Sequence, residues 1–213
     1  MRVMGKVTLL TGAPGTGKST LRQSLEPYIA GLQHFDYGEL LLRRKERQGT
    51  LLSYSELREQ SSSVISPTDV LDTDEWVIAE ITQLRATSDV IIDSHALTRE
   101  EYGFRAIPHS TRQLEAIKFD AVLALRCDPE VLIARAAADR GGRRELSVEL
   151  AREIQTLQEA LCLHYAVACG CTAYVIDTTA RTPAEVMESF LDPLLDCLGF
   201  VPISAYSRSR GHK

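Results

Sequence analysis

Residues 12 to 20 read Gly12, Ala13, Pro14, Gly15, Thr16, Gly17, Lys18, Ser19, Thr20. This is the spacing G-x-x-x-x-G-K-S, in which Gly12, Gly17, Lys18 and Ser19 hold the fixed positions. Glycines let consecutive backbone N–H groups turn inward, and the start of a helix favours an anion, so the segment suits a polyphosphate. An ammonium at the lysine position reaches the β- and γ-phosphates, and a hydroxyl at the serine position holds magnesium. The chemistry implied is binding of a nucleoside triphosphate with Mg2+. A second group belongs with it: Val90, Ile91 and Ile92 form an apolar run that ends in Asp93, and a carboxylate at the end of a buried strand is what a phosphate-bound magnesium ion takes as its acid.

Such a loop has to follow a buried strand and open a helix. Val7–Leu10 precedes it as a β-branched apolar run, and the helix is expected over Lys18–Ala30. Val90–Ile92, Ala121–Leu125 and Ala173–Ile176 have the same character, and Leu32–Phe35 is a weaker fifth run. Strands alternating with helices predict an α/β three-layer fold of the P-loop type, with a five-stranded parallel sheet. About fifty residues separate the weak strand from Val90, far more than a crossover needs. Helical spacing over Gly38–Gln48 and Asp69–Arg85, with a loop at Ser61–Pro67, predicts a helical flap over about 37–88. Asp139–Arg144 is irregular and predicts a short lid over about 139–146. A long helix follows, with the apolar stripe Leu150, Ile154, Leu157, Leu161, Tyr165. Residues 1–203 are read as one domain, and 204–213 as a polar, disordered tail.

The chain has 213 residues, 44% of them apolar and 25% charged, the balance of a soluble globular protein. Its net charge of -5 supplies no basic field for a nucleic acid. Five cysteines without paired spacing predict neither a disulfide framework nor a zinc site. The short apolar start is too brief to span a bilayer, so a cytoplasmic protein is expected.

Over most of residues 6 to 195 the chain resembles the nucleoside monophosphate kinases, and among them the archaeal-type adenylate kinases. Besides the glycine-rich loop, YGELL at 37–41 is similar to the start of that family's acceptor flap. IDSHA at 92–96, YGFRAIP at 102–108, RGGRRE at 140–145 and VIDTTARTPAEV at 175–186 are similar to later family segments. The resemblance implies transfer of a phosphoryl group from ATP to AMP. It implies that Tyr37, Gly38 and Glu39 frame the acceptor, that Arg58 binds its phosphate, and that Asp93 and His95 lie between donor and acceptor. Arg135, Arg140, Arg143 and Arg144 would clamp the transferring group, and Asp177 and Thr178 would lie near the adenine.

Two positions depart from the family. Leu42 stands where an arginine often follows the flap motif, with Arg43 one place later. Asp36 replaces a small polar residue, and a carboxylate there suits a substrate hydroxyl. A kinase for a hydroxyl-bearing metabolite, with Asp36 as base, therefore stands as an alternative, and a nucleotide-dependent ATPase switch as a second. Less specific readings accompany these. His95 is equally a core histidine, and Trp76, Val77 and Ile81 are expected in the core. Arg43, Arg44, Lys45 and Arg47 read as a wet helix face. His34, His109, His164 and His212 carry no pattern.

Overall fold

A computed structural model describes residues 4–25, 31–53, 56, 65–100, 103–106, 109–138 and 146–198. Five parallel strands form its centre: β1 (Val7–Gly12), β2 (Gln33–Asp36), β3 (Val90–Asp93), β6 (Ala121–Arg126) and β7 (Thr172–Asp177), in the order β2-β3-β1-β6-β7. A separate antiparallel hairpin joins β4 (Leu97–Glu100) to β5 (Gly103–Ala106). The helices are α1 (Lys18–Leu25), α2 (Tyr37–Arg47), α3 (Pro67–Leu84), α4 (Thr111–Ile117), α5 (Pro129–Ala138), α6 (Val148–Cys169) and α7 (Pro183–Leu198).

The period of two along each strand sorts side chains onto two cores. Val7, Leu9, Val90, Ile92, Val122 and Ala124 face α2, α3, α4 and α6. Leu10, Ile91, Ala121, Leu123 and Leu125 face the other way, against Leu21 and Leu25 of α1 and Phe190 and Leu191 of α7. Both sheet faces are covered, which is why the strands read as continuous apolar runs. The expected parallel sheet is present, each strand extending one or two residues beyond its apolar run because backbone pairing continues into the polar ends.

The two edges of the sheet differ in task. At the amino end Asp120 accepts from Val7 N at 2.9 Å and Arg85 at 2.6 Å, and Asp89 accepts from Lys6 N at 2.8 Å, so charges there staple strands together. At the carboxyl end β1 stops at Gly12, β2 at Asp36, β3 at Asp93 and β7 at Asp177. That is the edge where open α/β sheets bind ligands.

The segment read as a flap contains α2 and α3, which pack on each other. Ser66 and Asp69 form a capping box that starts α3, and Asp69 also takes Lys45 of α2 at 2.5 Å and Gln48, which caps that helix, at 3.0 Å. Arg44 pairs with Asp72. Arg44 and Lys45 are thus not a wet face, because carboxylates on the facing helix compensate them, whereas Arg43 is exposed and, among the described residues, pairs with Glu39 at 3.7 Å. Val77 and Ile81 are buried as expected, but Trp76 is 41% exposed. Its large ring meets the edge of Phe35 at a centroid distance of 6.1 Å and leaves the rest to solvent.

The stripe on α6 is also rotated from expectation. Ala151, Ile154, Gln155, Gln158, Cys162 and Tyr165 are buried, while Leu157 is 37% exposed. Two glutamines win core positions because each satisfies a buried partner: Gln155 Oε1 accepts from Cys127 N at 2.8 Å, and Gln158 Nε2 donates to Thr11 Oγ1 at 2.6 Å.

One buried carboxyl on α3 makes stability depend on pH. Burial lifts Asp74 from 3.8 to about 6, against the opposing effect of its bond from Gln113. Unfolding returns the carboxyl to its ordinary value, so its contribution to stability is full below that value and is lost as pH rises through the folded one. In urea unfolding, the stability advantage of the native chain over Asp74→Asn is expected to shrink by ~2 kcal/mol from about pH 4.5 to about pH 7. A difference that stays constant with pH contradicts this.

Candidate functional site

β1 delivers the chain into the loop, and the glycine conformations make the turn. Gly12, Gly15 and Gly17 have φ of 152°, 98° and 99°. At Gly12 a Cβ would also lie 2.7 Å from the Leu125 carbonyl oxygen, so both conformation and space demand glycine. Thr16 closes the turn, its N and Oγ1 donating to Ala13 O at 3.2 and 2.8 Å. α1 begins at Lys18, with Leu21 N bonded to Gly17 O at 2.9 Å. Ala13 is buried, Pro14 is exposed, and Ser19 and Thr20 are exposed on the first turn.

Lys18 is only 7% exposed, and its ammonium donates to Gly12 O at 3.0 Å. Asp93, also 7% exposed, has its carboxyl raised by burial, while the nearby Lys18 pulls it back toward the charged form. His95 brings Nδ1 to 3.1 Å from Gly12 O and 3.4 Å from Lys18 Nζ. A ring protonated at Nδ1 donates to the carbonyl; the other tautomer accepts from the lysine. The loop lysine, the strand-end carboxylate and His95 therefore meet at one place.

Asp36 is the partner of Asp93 in the β2–β3 register. One of its oxygens caps α2 by accepting from Glu39 N at 3.1 Å, and the other lies 3.6 Å from Arg22 of α1. Arg22 also stands 3.2 Å from His34, whose ring burial and Arg22 hold down to about 4. Gly38 is half-buried on the first turn of α2. Tyr37 lies in the same turn, but its ring is buried in the core and its hydroxyl bonds Asp74.

On the far side of the loop, Arg135 donates to Thr178 Oγ1 at 3.1 Å and to Thr178 O at 2.9 Å. The Thr178 hydroxyl has Thr16 O at 3.0 Å and Arg126 O at 3.1 Å as acceptors. Asp177 accepts from Thr179 N at 2.8 Å, which shapes the turn after β7. This link from α5 through the end of the last strand to the phosphate loop was not foreseen, because its hydrogen bonds join residues far apart along the chain. Arg58, Arg140, Arg143 and Arg144 lie outside the described residues, as does the tail.

The donor set fits a hard cation with phosphate: a hydroxyl at Ser19, a carboxylate at Asp93, and a glycine turn opening a helix beside an ammonium. Among the described residues no three His, Cys, Asp or Glu side chains gather as a metal cluster. Magnesium commonly relies on one or two carboxylates with phosphate oxygens instead.

Residues 11–155 match the AAA domain. The chain belongs to the AAA-domain family. Within this AAA-domain protein the matched stretch runs from the end of β1 into α6 and includes the loop, Asp93 and the flap. The chain is 25% identical over 186 residues to an adenylate kinase of Thermoplasma acidophilum, covering 86% of this chain and 96% of that one. It is 23% identical over 193 residues to an adenylate kinase of Methanopyrus kandleri, covering 89% and 97%. The expected likeness to archaeal adenylate kinases is thus borne out along nearly the whole chain. Among solved structures, a sugar kinase from a Janibacter species superposes with a TM-score of 0.50 at 17% identity, covering 93% of this chain and 96% of that one, a likeness of fold. Among the described residues of this AAA-domain protein, no helix is long and apolar enough to cross a membrane.

Proposed function

We propose that the chain transfers the terminal phosphoryl group of ATP to a nucleoside monophosphate, with AMP as the first acceptor to test. It is an ATP-dependent kinase. The observation that carries the reading is the meeting of Lys18, Asp93 and His95 beside the glycine cradle, with the Asp36–Gly38 turn across from it. Lys18, the loop N–H groups and the α1 terminus hold the polyphosphate and neutralise charge as it spreads in transfer. Ser19 and Asp93 would hold magnesium, which supplies charge neutralisation at the phosphate oxygens. An acceptor phosphate is already anionic and needs no general base. That suits a site where the carboxylate nearest the acceptor, Asp36, serves as a helix cap and faces Arg22. Arg58, Arg140 and Arg144 are proposed to bind acceptor and donor phosphates, and the protein to act in the cytoplasm on a small acceptor.

Arg135 and Thr178 are proposed to steady the donor side. Removing the Thr178 hydroxyl leaves the Thr16 carbonyl and an Arg135 N–H short of a partner. Thr178→Val is expected to raise the KM for ATP about tenfold, with the acceptor KM unchanged, in steady-state assays. Equal rises in both would place the effect elsewhere.

ATP consumption coupled to a panel of nucleoside monophosphates and nucleosides tests the proposal as a whole. Diphosphate formation from a monophosphate supports it. Transfer confined to an alcohol, lost in Asp36→Asn, would move the assignment to a hydroxyl kinase.

A further inference from the structure

Away from the phosphate loop, beneath the flap, several elements converge on one buried carboxylate. Asp74 of α3 is 4% exposed. One oxygen accepts from the hydroxyl of Tyr37, the first residue of α2, and the other accepts from Gln113 Nε2 of α4 at 2.6 Å. The amide of Gln113 cannot turn round without loss, because its Oε1 accepts from Ser110 N at 2.6 Å in the capping box that starts α4. His109 Nδ1 stands 3.9 Å from the Tyr37-bound oxygen, and its ring packs on Tyr165 of α6 at 5.6 Å. Burial holds that imidazole down at about 4, hence neutral near pH 7.

Tyr37 directly follows Asp36, whose backbone is in register with Asp93. The far end of α2 is held separately, by Lys45 and Gln48 on Asp69. The helix that presents the Asp36–Gly38 turn is therefore tied at both ends. At the end nearer β3, the Tyr37 hydroxyl ties α2 to α3 through Asp74, with Val70 O at 3.4 Å as a second acceptor.

We propose that Asp74 is a positioning residue for the phosphoryl acceptor, fixing through Tyr37 the first turn of α2 relative to the end of β3. The proposal rests on the reading of α2 and α3 as an acceptor flap. An asparagine has a single acceptor oxygen: set on the fixed Gln113 NH2, it turns its own NH2 to the Tyr37 hydroxyl and removes the oxygen that accepts from it. A small displacement of the turn suffices to misplace a reacting group.

The test uses the full chain, with AMP as acceptor and ATP with magnesium as donor, at pH 7.5, where Asp74 carries its charge. Asp74→Asn is expected to raise the AMP KM about tenfold while kcat and the ATP KM stay within about twofold. Tyr37→Phe should do the same, and the double variant should add little to either single one, since both remove one tie. In nucleotide-free protein, amide exchange over 37–47 should quicken in each variant while β1 and β3 keep their protection. Equal rises in both KM values, additive effects in the double variant, or unchanged exchange over 37–47 would overturn the proposal. If Asp74→Asn does not fold, Tyr37→Phe alone decides by the same criteria. If the native chain does not phosphorylate AMP, the acceptor assignment fails on that result, and the exchange measurement still decides whether Asp74 holds the turn.

Discussion

Lys18→Ala is expected to lower kcat for phosphoryl transfer by about a thousandfold while the protein keeps its fold. The loop geometry gives the reason. Lys18 is buried at the loop, bonded to the Gly12 carbonyl, and follows the turn that Gly12, Gly15 and Gly17 make at positive φ. No other lysine or arginine among the described residues is bonded to a loop carbonyl of residues 12–15. Leu21 and Leu25 anchor α1 in the core independently of Lys18. Single-turnover measurement with circular dichroism as a fold control checks the prediction. Activity within tenfold of native would remove Lys18 from the transition state.

Asp93→Asn is the second large effect, an expected loss of about 10²- to 10³-fold in kcat, with more magnesium needed for half-maximal rate. The carboxylate is held on a buried strand end, one residue before Ser94, whose N donates to Leu10 O at 3.1 Å, so its position is fixed by the sheet. Burial opposes its charge and Lys18 favours it. The amide keeps the shape and loses the charge, so a magnesium titration of rate separates electrostatics from folding. An unchanged titration curve would show that Asp93 serves the fold alone.

The donor half of this site was legible in the sequence because its requirements are local. A tight turn needs glycine, a phosphate needs a helix start, and a parallel strand buried on both faces reads as an unbroken apolar run ending in one acid. The β4–β5 hairpin was not legible: its strands are short and mixed in polarity, and the segment looks like a loop. The rotated face of α6 was missed because Gln155 and Gln158 enter the core on hydrogen bonds to partners far along the chain. Reading only apolar residues draws the stripe toward Leu157. Asp74 was hidden for the same reason, since an aspartate in an amphipathic helix reads as a solvent residue until Tyr37 and Gln113 are brought to it. Tyr37 drew notice for its place in the flap motif, but its ring turned out to serve the core.

The most direct test of the central claim follows the label from γ-phosphorus-labelled ATP in a single turnover with AMP, the products being resolved by mass. The account predicts label on the β-phosphate of newly formed ADP, absent in Lys18→Ala. Label found only in inorganic phosphate, or as a monoester on a hydroxyl acceptor, would contradict it.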